Sequence, residues 1–165
     1  ITKDSMLGSQ ADGFKTFMKT LTSGRVSIGA LSVGTAQGAY EKALAYSVER
    51  EAFGRKINKF QSIGFTLADM ATKIEASKLL VYNAAWMKDN NLDITKEAAM
   101  AKLFASETAM AVTSDAIQVH GGYGYVRDYD VERYFRDAKI LEIGEGTSEI
   151  QRLIISRAIL KEIQI

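Results

Sequence analysis

The sequence has no cysteine, no proline, one histidine and one tryptophan. Without cysteine, disulfides and thiolate metal sites are excluded, and nothing points to an oxidising compartment. A lone histidine excludes a multi-histidine metal centre. No apolar run approaches the ~20 residues needed to span a bilayer, and no signal peptide is visible. The lack of proline, beside abundant Ala, Leu, Met, Lys and Glu, disfavours a turn-rich sandwich or barrel and favours helices. Neither sign of charge dominates. The 21 Lys plus Arg are balanced by 20 Asp plus Glu and are scattered, so no attraction to nucleic acid or anionic lipid is expected. The 165 residues, 47% apolar, suffice for one domain with its own core. The chain starts without Met, so a piece of a longer protein is expected.

Residues 1–11 read as an irregular lead-in. Gly13 to Leu21 predicts a short amphipathic helix with Phe14, Phe17, Met18 and Leu21 on one face. Thr22, Ser23 and Gly24 interrupt it, and either hydroxyl could cap the next helix. Arg25 to Arg50 predicts a long helix carrying Gly29, Ala30, Gly34, Ala36, Gly38 and Ala39, small residues that let a neighbour approach closely. Residues 51–61 suit a loop. A second long helix is predicted from near Ser62 to the Asp89-Asn90-Asn91 cluster, with Ile63, Leu67, Met70, Ile74 and Val81 inward. Thr95 can cap a third, with Ala98, Ala101, Ala105, Val112, Ala116 and Val119 inward, stopped by Gly121, Gly122 and Gly124. A short helix around Asp130–Ala138 and a last one over 148–162, with Ile150, Leu153, Ile154 and Ala158 inside, complete an all-α, antiparallel four-helix bundle.

Three segments carry candidate chemistry. In QVHGGYGY (118–125), three glycines let backbone N–H groups approach a ligand, or simply stop a helix. In the 50–61 segment, Arg50, Arg55, Lys56 and Lys59 lie beside Phe53 and Phe60. That suits a pyrophosphate clamp with an aromatic against a planar ring, or a solvated loop with two anchors. In GEGTSEIQR (144–152), Glu145 sits between two glycines before a helix start at Thr147. There a planar substrate could slide against the backbone, or the acid could merely favour the helix dipole.

Taken together, YFRDAKILEIGEGTSEIQRLIISR (134–157), VEREAFGRKINKFQ (48–61), QVHGGYGY and DSMLGSQADGFKTFMKTLTSGR (4–25) resemble, in order, motifs of the acyl-CoA dehydrogenase family, in its short- and medium-chain type. The resemblance covers the family's C-terminal helical domain. It implies that residues 1–12 lead in from a preceding β-domain, that 13–165 form the bundle, and that an N-terminal helical domain lies further upstream. It also implies a soluble enzyme, cytoplasmic in a bacterium or in the mitochondrial matrix of a eukaryote. The expected reaction is FAD-dependent oxidation of an acyl-CoA to a trans-2-enoyl-CoA, with electrons passed to an electron-transfer flavoprotein. Expected too is a homotetramer built as a dimer of dimers, with no nucleic acid, no membrane insertion and no metal. An oxygen-using oxidase and a non-catalytic assembly domain are the alternatives.

Residue by residue, the resemblance makes Glu145 the base that takes the α-proton, and Arg25 and Gly146 substrate contacts. Thr147 and Glu149 fall near the FAD adenosine. Arg50, Phe53 and Gln61 reach a flavin across a subunit interface. Gln118, Val119, His120, Gly121 and Gly122 form the turn on its adenine and pyrophosphate. A carboxylate in water is a feeble base for such a proton, and removal from water strengthens it. Some members carry the base at the position of Gly24, which has no carboxylate. Gly144 stands where many members have Tyr, which implies extra space near the reacting carbons. Thr22 stands where many have Asp. Arg136, Asp137 and Lys139 are read as structural.

Overall fold

The computed structural model describes residues 2–6, 8–9 and 12–163, and among them the helical periodicity resolves into five α-helices. These are α1 (Gly13–Glu49), α2 (Gln61–Asp89), α3 (Thr95–His120), α4 (Val131–Ile143) and α5 (Ser148–Ile163). Between α1 and α2 lies a minimal antiparallel hairpin, β1 (Glu51–Ala52) with β2 (Arg55–Lys56). Single 3-10 turns occur at Lys3–Ser5, Ile57–Lys59 and Gly121–Tyr125. The lead-in thus holds one turn, and residues 1, 7, 10 and 11 of it lie outside the described set.

α3 is the centre of the bundle and packs against every other helix. Its inward Ala98, Ala101, Ala105, Ala109 and Ala116 are fully buried, as are Ala36, Ala39 and Ala43 of α1. Side chains this small bring the two backbones close. A Cβ on Gly29 would lie 3.6 Å from the carbonyl of Ala101 and 3.0 Å from Val81 of α2. Leu67, Met70 and Ile74 of α2 fill the adjacent core, each stabilising the fold by about 1.5–3 kcal/mol on burial. The buried hydroxyls among these residues remain satisfied. Ser32 donates to Ile28 O at 2.7 Å, Ser77 to Lys73 O at 2.8 Å and Thr113 to Ala109 O at 2.7 Å.

Four expectations change. The break at Thr22, Ser23 and Gly24 does not occur, and α1 runs through all 37 of its residues. An interior glycine costs a helix only about 1 kcal/mol, which tertiary packing downstream offsets, and Thr22 bonds back to Met18 O at 3.0 Å instead of capping forward. Thr95 does not cap α3. Asp93 does so from outside, accepting the Thr95 N–H at 3.0 Å and its hydroxyl at 2.7 Å, which holds its carboxyl below the usual range. The short helix expected around Asp130–Ala138 runs on to Ile143. In α5, Ile150 and Leu153 are exposed, while Ser148 and Gln151 are buried. α5 rests chiefly on α3, so only one narrow stripe is covered.

Apolar surface remains open. Phe14 and Phe17 on α1, and Phe65, Leu79, Tyr82 and Trp86 on α2, are all exposed. Faces of this kind mark contact surfaces for other protein. No helix among the described residues is long and apolar enough to cross a membrane.

Candidate active site

The turn between α4 and α5 places two successive residues at positive φ. α4 closes with Gly144 N–H donating to Ile140 O at 2.8 Å. Glu145 then takes φ 57° and Gly146 φ 98°. The second suits glycine. For glutamate the left-handed conformation costs on the order of 1–3 kcal/mol and persists only where the surroundings over-determine it. Gly144 itself has φ −60° and ψ 150°, open to any residue, and a Cβ there would meet only Ile140 O at 3.3 Å.

Two buried side chains supply the constraint. Lys102, fully buried on α3, donates from Nζ to Glu142 O at 3.0 Å and to Gly146 O at 2.8 Å. Gln151, fully buried on α5, donates from Nε2 to Gly146 O at 2.8 Å and to Glu145 O at 3.3 Å. Burial pushes the Lys102 ammonium below its ordinary pKa, while the Glu142 carboxylate counters the shift. The Glu145 N–H has no acceptor among the described residues, which leaves it available as a donor.

The Glu145 side chain points at α1. A Cβ on Gly24 would stand 2.7 Å from its Oε2, so the glycine makes room for the carboxylate. The next residue, Arg25, is 3% exposed. Its Nη1 donates to Thr22 Oγ1 at 3.3 Å, and its buried Nε has no partner among the described residues. Burial lowers its pKa and the charge of Glu145 opposes that, so the guanidinium sits within the field of the carboxylate. Gly24 and Glu145 thereby meet, although they come from opposite ends of the sequence.

A separate open cavity of about 840 Å³ lies at the far end of α1 and α3. Arg50, Gln118, Val119, His120, Gly121 and Gly122 are among its walls, and the turn around Glu145 is not. Arg50 lies 5.3 Å from the Tyr123 ring centre, and a Cβ on Gly121 or Gly122 would meet nothing within 4 Å. Phe53 and Gln61 stay outside this cavity. Phe53 is 95% exposed at the hairpin tip with φ 51°, its ring edge-on to Phe60. Gln61 is exposed as the first residue of α2.

Residues 11–160 match the family model for the acyl-CoA dehydrogenase C-terminal domain. The chain belongs to the acyl-CoA dehydrogenase family. It is 57% identical over 157 residues to "Probable acyl-CoA dehydrogenase YngJ" of Bacillus subtilis (strain 168), covering 95% of this chain and 41% of that protein. It is 52% identical to the mitochondrial short-chain specific acyl-CoA dehydrogenase of Bos taurus, over 98% of this chain and 39% of the other. The structure of butyryl-CoA dehydrogenase from Megasphaera elsdenii superposes with a TM-score of 0.96 at 46% identity, covering 97% of this chain and 42% of that one. The chain therefore spans about two fifths of the length of these relatives.

Within this acyl-CoA dehydrogenase domain, Thr147 and Glu149 open α5. The nearness of its own backbone N–H, and then of the Thr147 hydroxyl, holds the Glu149 carboxyl below the usual carboxylate range. Arg136 pairs with Glu132 at 2.7 Å, and Lys139 with Glu142 at 2.5 Å, both ties within α4. Lys102 and Gln151 were missed by sequence reasoning. The signal for Lys102 was available, since a cation between Ala98 and Ala105 interrupts a stripe of alanines that faces the core.

His120, the lone histidine, is 5% exposed and stacks on Tyr46 at 4.2 Å with an edge to Tyr129 at 5.8 Å. Its Nδ1–H donates to Ala116 O at 2.8 Å. Burial depresses its pKa below the ordinary value of 6.5, more than the Ala116 bond raises it. The neutral ring is thus the one the fold prefers. The stability it contributes is complete above pH 6.5 and is lost as pH falls from there through the depressed folded value. With one histidine, an NMR titration of the imidazole is unambiguous. A midpoint below 6.5 is expected, and one at or above 6.5 contradicts this burial.

Proposed function

We propose that the complete protein oxidises an acyl-CoA thioester to a trans-2-enoyl-CoA with FAD, this domain supplying the base Glu145 and part of the flavin site. The observation that carries this is the Glu145 carboxylate, half-buried in a left-handed turn, lying against Gly24 and beside the buried Arg25. A base so placed removes a proton from the carbon next to the thioester. The C–H bond breaks, its electrons move toward the carbonyl, and the proton passes to the carboxylate. The N–H of Glu145, unpaired among the described residues, is suited to donate to the carbonyl oxygen and stabilise the negative charge that develops there. Bound FAD would accept the β-hydrogen as hydride. Arg25 and Gly146 border the reacting end.

The cavity at the other end of the helices suits the nucleotide part of a flavin. Arg50 offers a cation to a pyrophosphate, Gly121 and Gly122 let it approach the backbone, and Gln118 can bond a base edge. Val119 and His120 form its floor. Phe53 and Gln61 project from the same end and Thr147 and Glu149 stand by the Glu145 turn, so these groups serve two flavins and a second copy completes each. A homotetramer, an electron-transfer flavoprotein as acceptor, and upstream helical and β-domains over the open apolar faces complete this reading.

The test uses the complete protein. It should purify with flavin absorbance, and that absorbance should bleach anaerobically on adding a short-chain acyl-CoA, with enoyl-CoA formed. A colourless protein that FAD cannot reconstitute contradicts the proposal. Steady peroxide production without an added acceptor would make it an oxidase. Arg50→Ala should weaken FAD retention about tenfold or more, the loss of a charge-assisted contact, with helix content unchanged by circular dichroism. Flavin occupancy equal to wild type counts against Arg50.

A further inference from the structure

We infer that Lys102 is a positioning residue for the reaction, its buried ammonium, with Gln151, locking the backbone on both sides of Glu145 so that the carboxylate faces the substrate. The inference rests on Glu145 being the base. The carbonyls of Glu142 and Gly146 bracket Glu145, and both are tied to one Nζ, at 3.0 and 2.8 Å. That closes the segment between them into a ring anchored on α3. Gln151 ties Gly146 O a second time at 2.8 Å and reaches Glu145 O at 3.3 Å.

A helix end needs a donor for its last carbonyls, and Glu142 O alone would account for an ordinary cap. It does not account for the bond to Gly146 O, which lies beyond the helix and beyond Glu145. Nor does it account for a charged side chain fully buried in a stripe of alanines. A water-exposed lysine or a glycine cap would satisfy the helix at less cost in desolvation. The two bonds do what a cap does not. With both peptide planes held, φ of Glu145 stays at 57°, the side chain leaves toward Gly24, and its N–H remains unpaired among the described residues.

The experiment compares wild type, Lys102→Met, Gln151→Leu and Glu145→Gln in the complete protein. Each is incubated in D2O with 3-thiabutyryl-CoA, which has α-hydrogens but no β-hydrogen to lose. Exchange of its α-proton reports the base alone. Flavin content, thermal midpoint and the affinity for the thioester are read in parallel. Lys102→Met should lose about 10²-fold in exchange rate, the effect of a displaced reacting group, with flavin content and affinity close to wild type. Gln151→Leu should lose less, in the same direction.

Exchange at the wild-type rate in Lys102→Met overturns the proposal. If that variant loses its flavin, Gln151→Leu decides. Slowed exchange with flavin retained supports the clamp, and unchanged exchange refutes it. Flavin loss in both would make the pair scaffolding of the domain, which also refutes it. Wild-type exchange in Glu145→Gln would bring down the base assignment, and the clamp with it, a result distinct from failure of Lys102→Met alone.

Discussion

Glu145→Gln in the complete protein is expected to lose about 10²–10⁴-fold in turnover, the range that a positioned general base contributes. The amide matches the carboxylate in size, so its contact with Gly24 remains. It has no lone pair basic enough to take a proton from carbon. The left-handed turn is held through main-chain carbonyls, by Lys102 and Gln151, and does not depend on the side-chain charge. FAD absorbance and binding of the enoyl-CoA product should therefore persist while steady-state turnover with an artificial acceptor collapses. Arg25 loses its neighbouring anion in this variant, and its buried guanidinium should make the protein slightly less stable. Turnover within a few-fold of wild type would move the base to another residue.

A second large effect is expected from Gly124→Ala. The 3-10 turn Gly121–Tyr125 folds back over the end of α3, and at Gly124 the approach is closest. A Cβ there would lie 2.6 Å from Ile117 O, 2.9 Å from Ile117 Cα and 3.0 Å from His120 Cβ. None of these is the end of a flexible side chain, so the turn itself must shift. Overpacking of this kind costs about 1–3 kcal/mol. The displaced turn carries Gly121, Gly122 and Tyr123, so flavin retention should fall with the thermal midpoint. Gly122→Ala is the matched control. It sits in the same turn, its added methyl meets nothing within 4 Å, and its effect should stay within about 0.5 kcal/mol. Equal melting of the two variants would contradict the close approach.

Much of the scaffold is legible in the sequence. The alanine stripe Ala98, Ala101, Ala105 and Ala116, and the series Leu67, Met70, Ile74 and Val81, mark the buried faces of α3 and α2 by their spacing alone. Gly121 marks the end of α3 and takes φ 61° there. Spacing failed where local preference and packing disagree. Gly24 looks like a helix break, yet α1 passes through it, because the glycine is there for its neighbour across the bundle. Ile150 and Leu153 look like a core face, yet the polar Ser148 and Gln151 are the ones buried.

The sequence by itself determined the all-α class, the approximate extent of α2, α3 and α5, and the family, through motifs whose meaning lies within a few neighbouring residues. Helical periodicity and glycine conformation are local properties and survive in a one-dimensional string. Only the tertiary structure decided that Gly24 faces Glu145, that Lys102 grips the carbonyls of Glu142 and Gly146, and that Arg50 shares a cavity with Gln118 and Gly122. Those pairings depend on how helices distant in sequence come to rest against one another, and side-chain packing rather than residue spacing sets that arrangement.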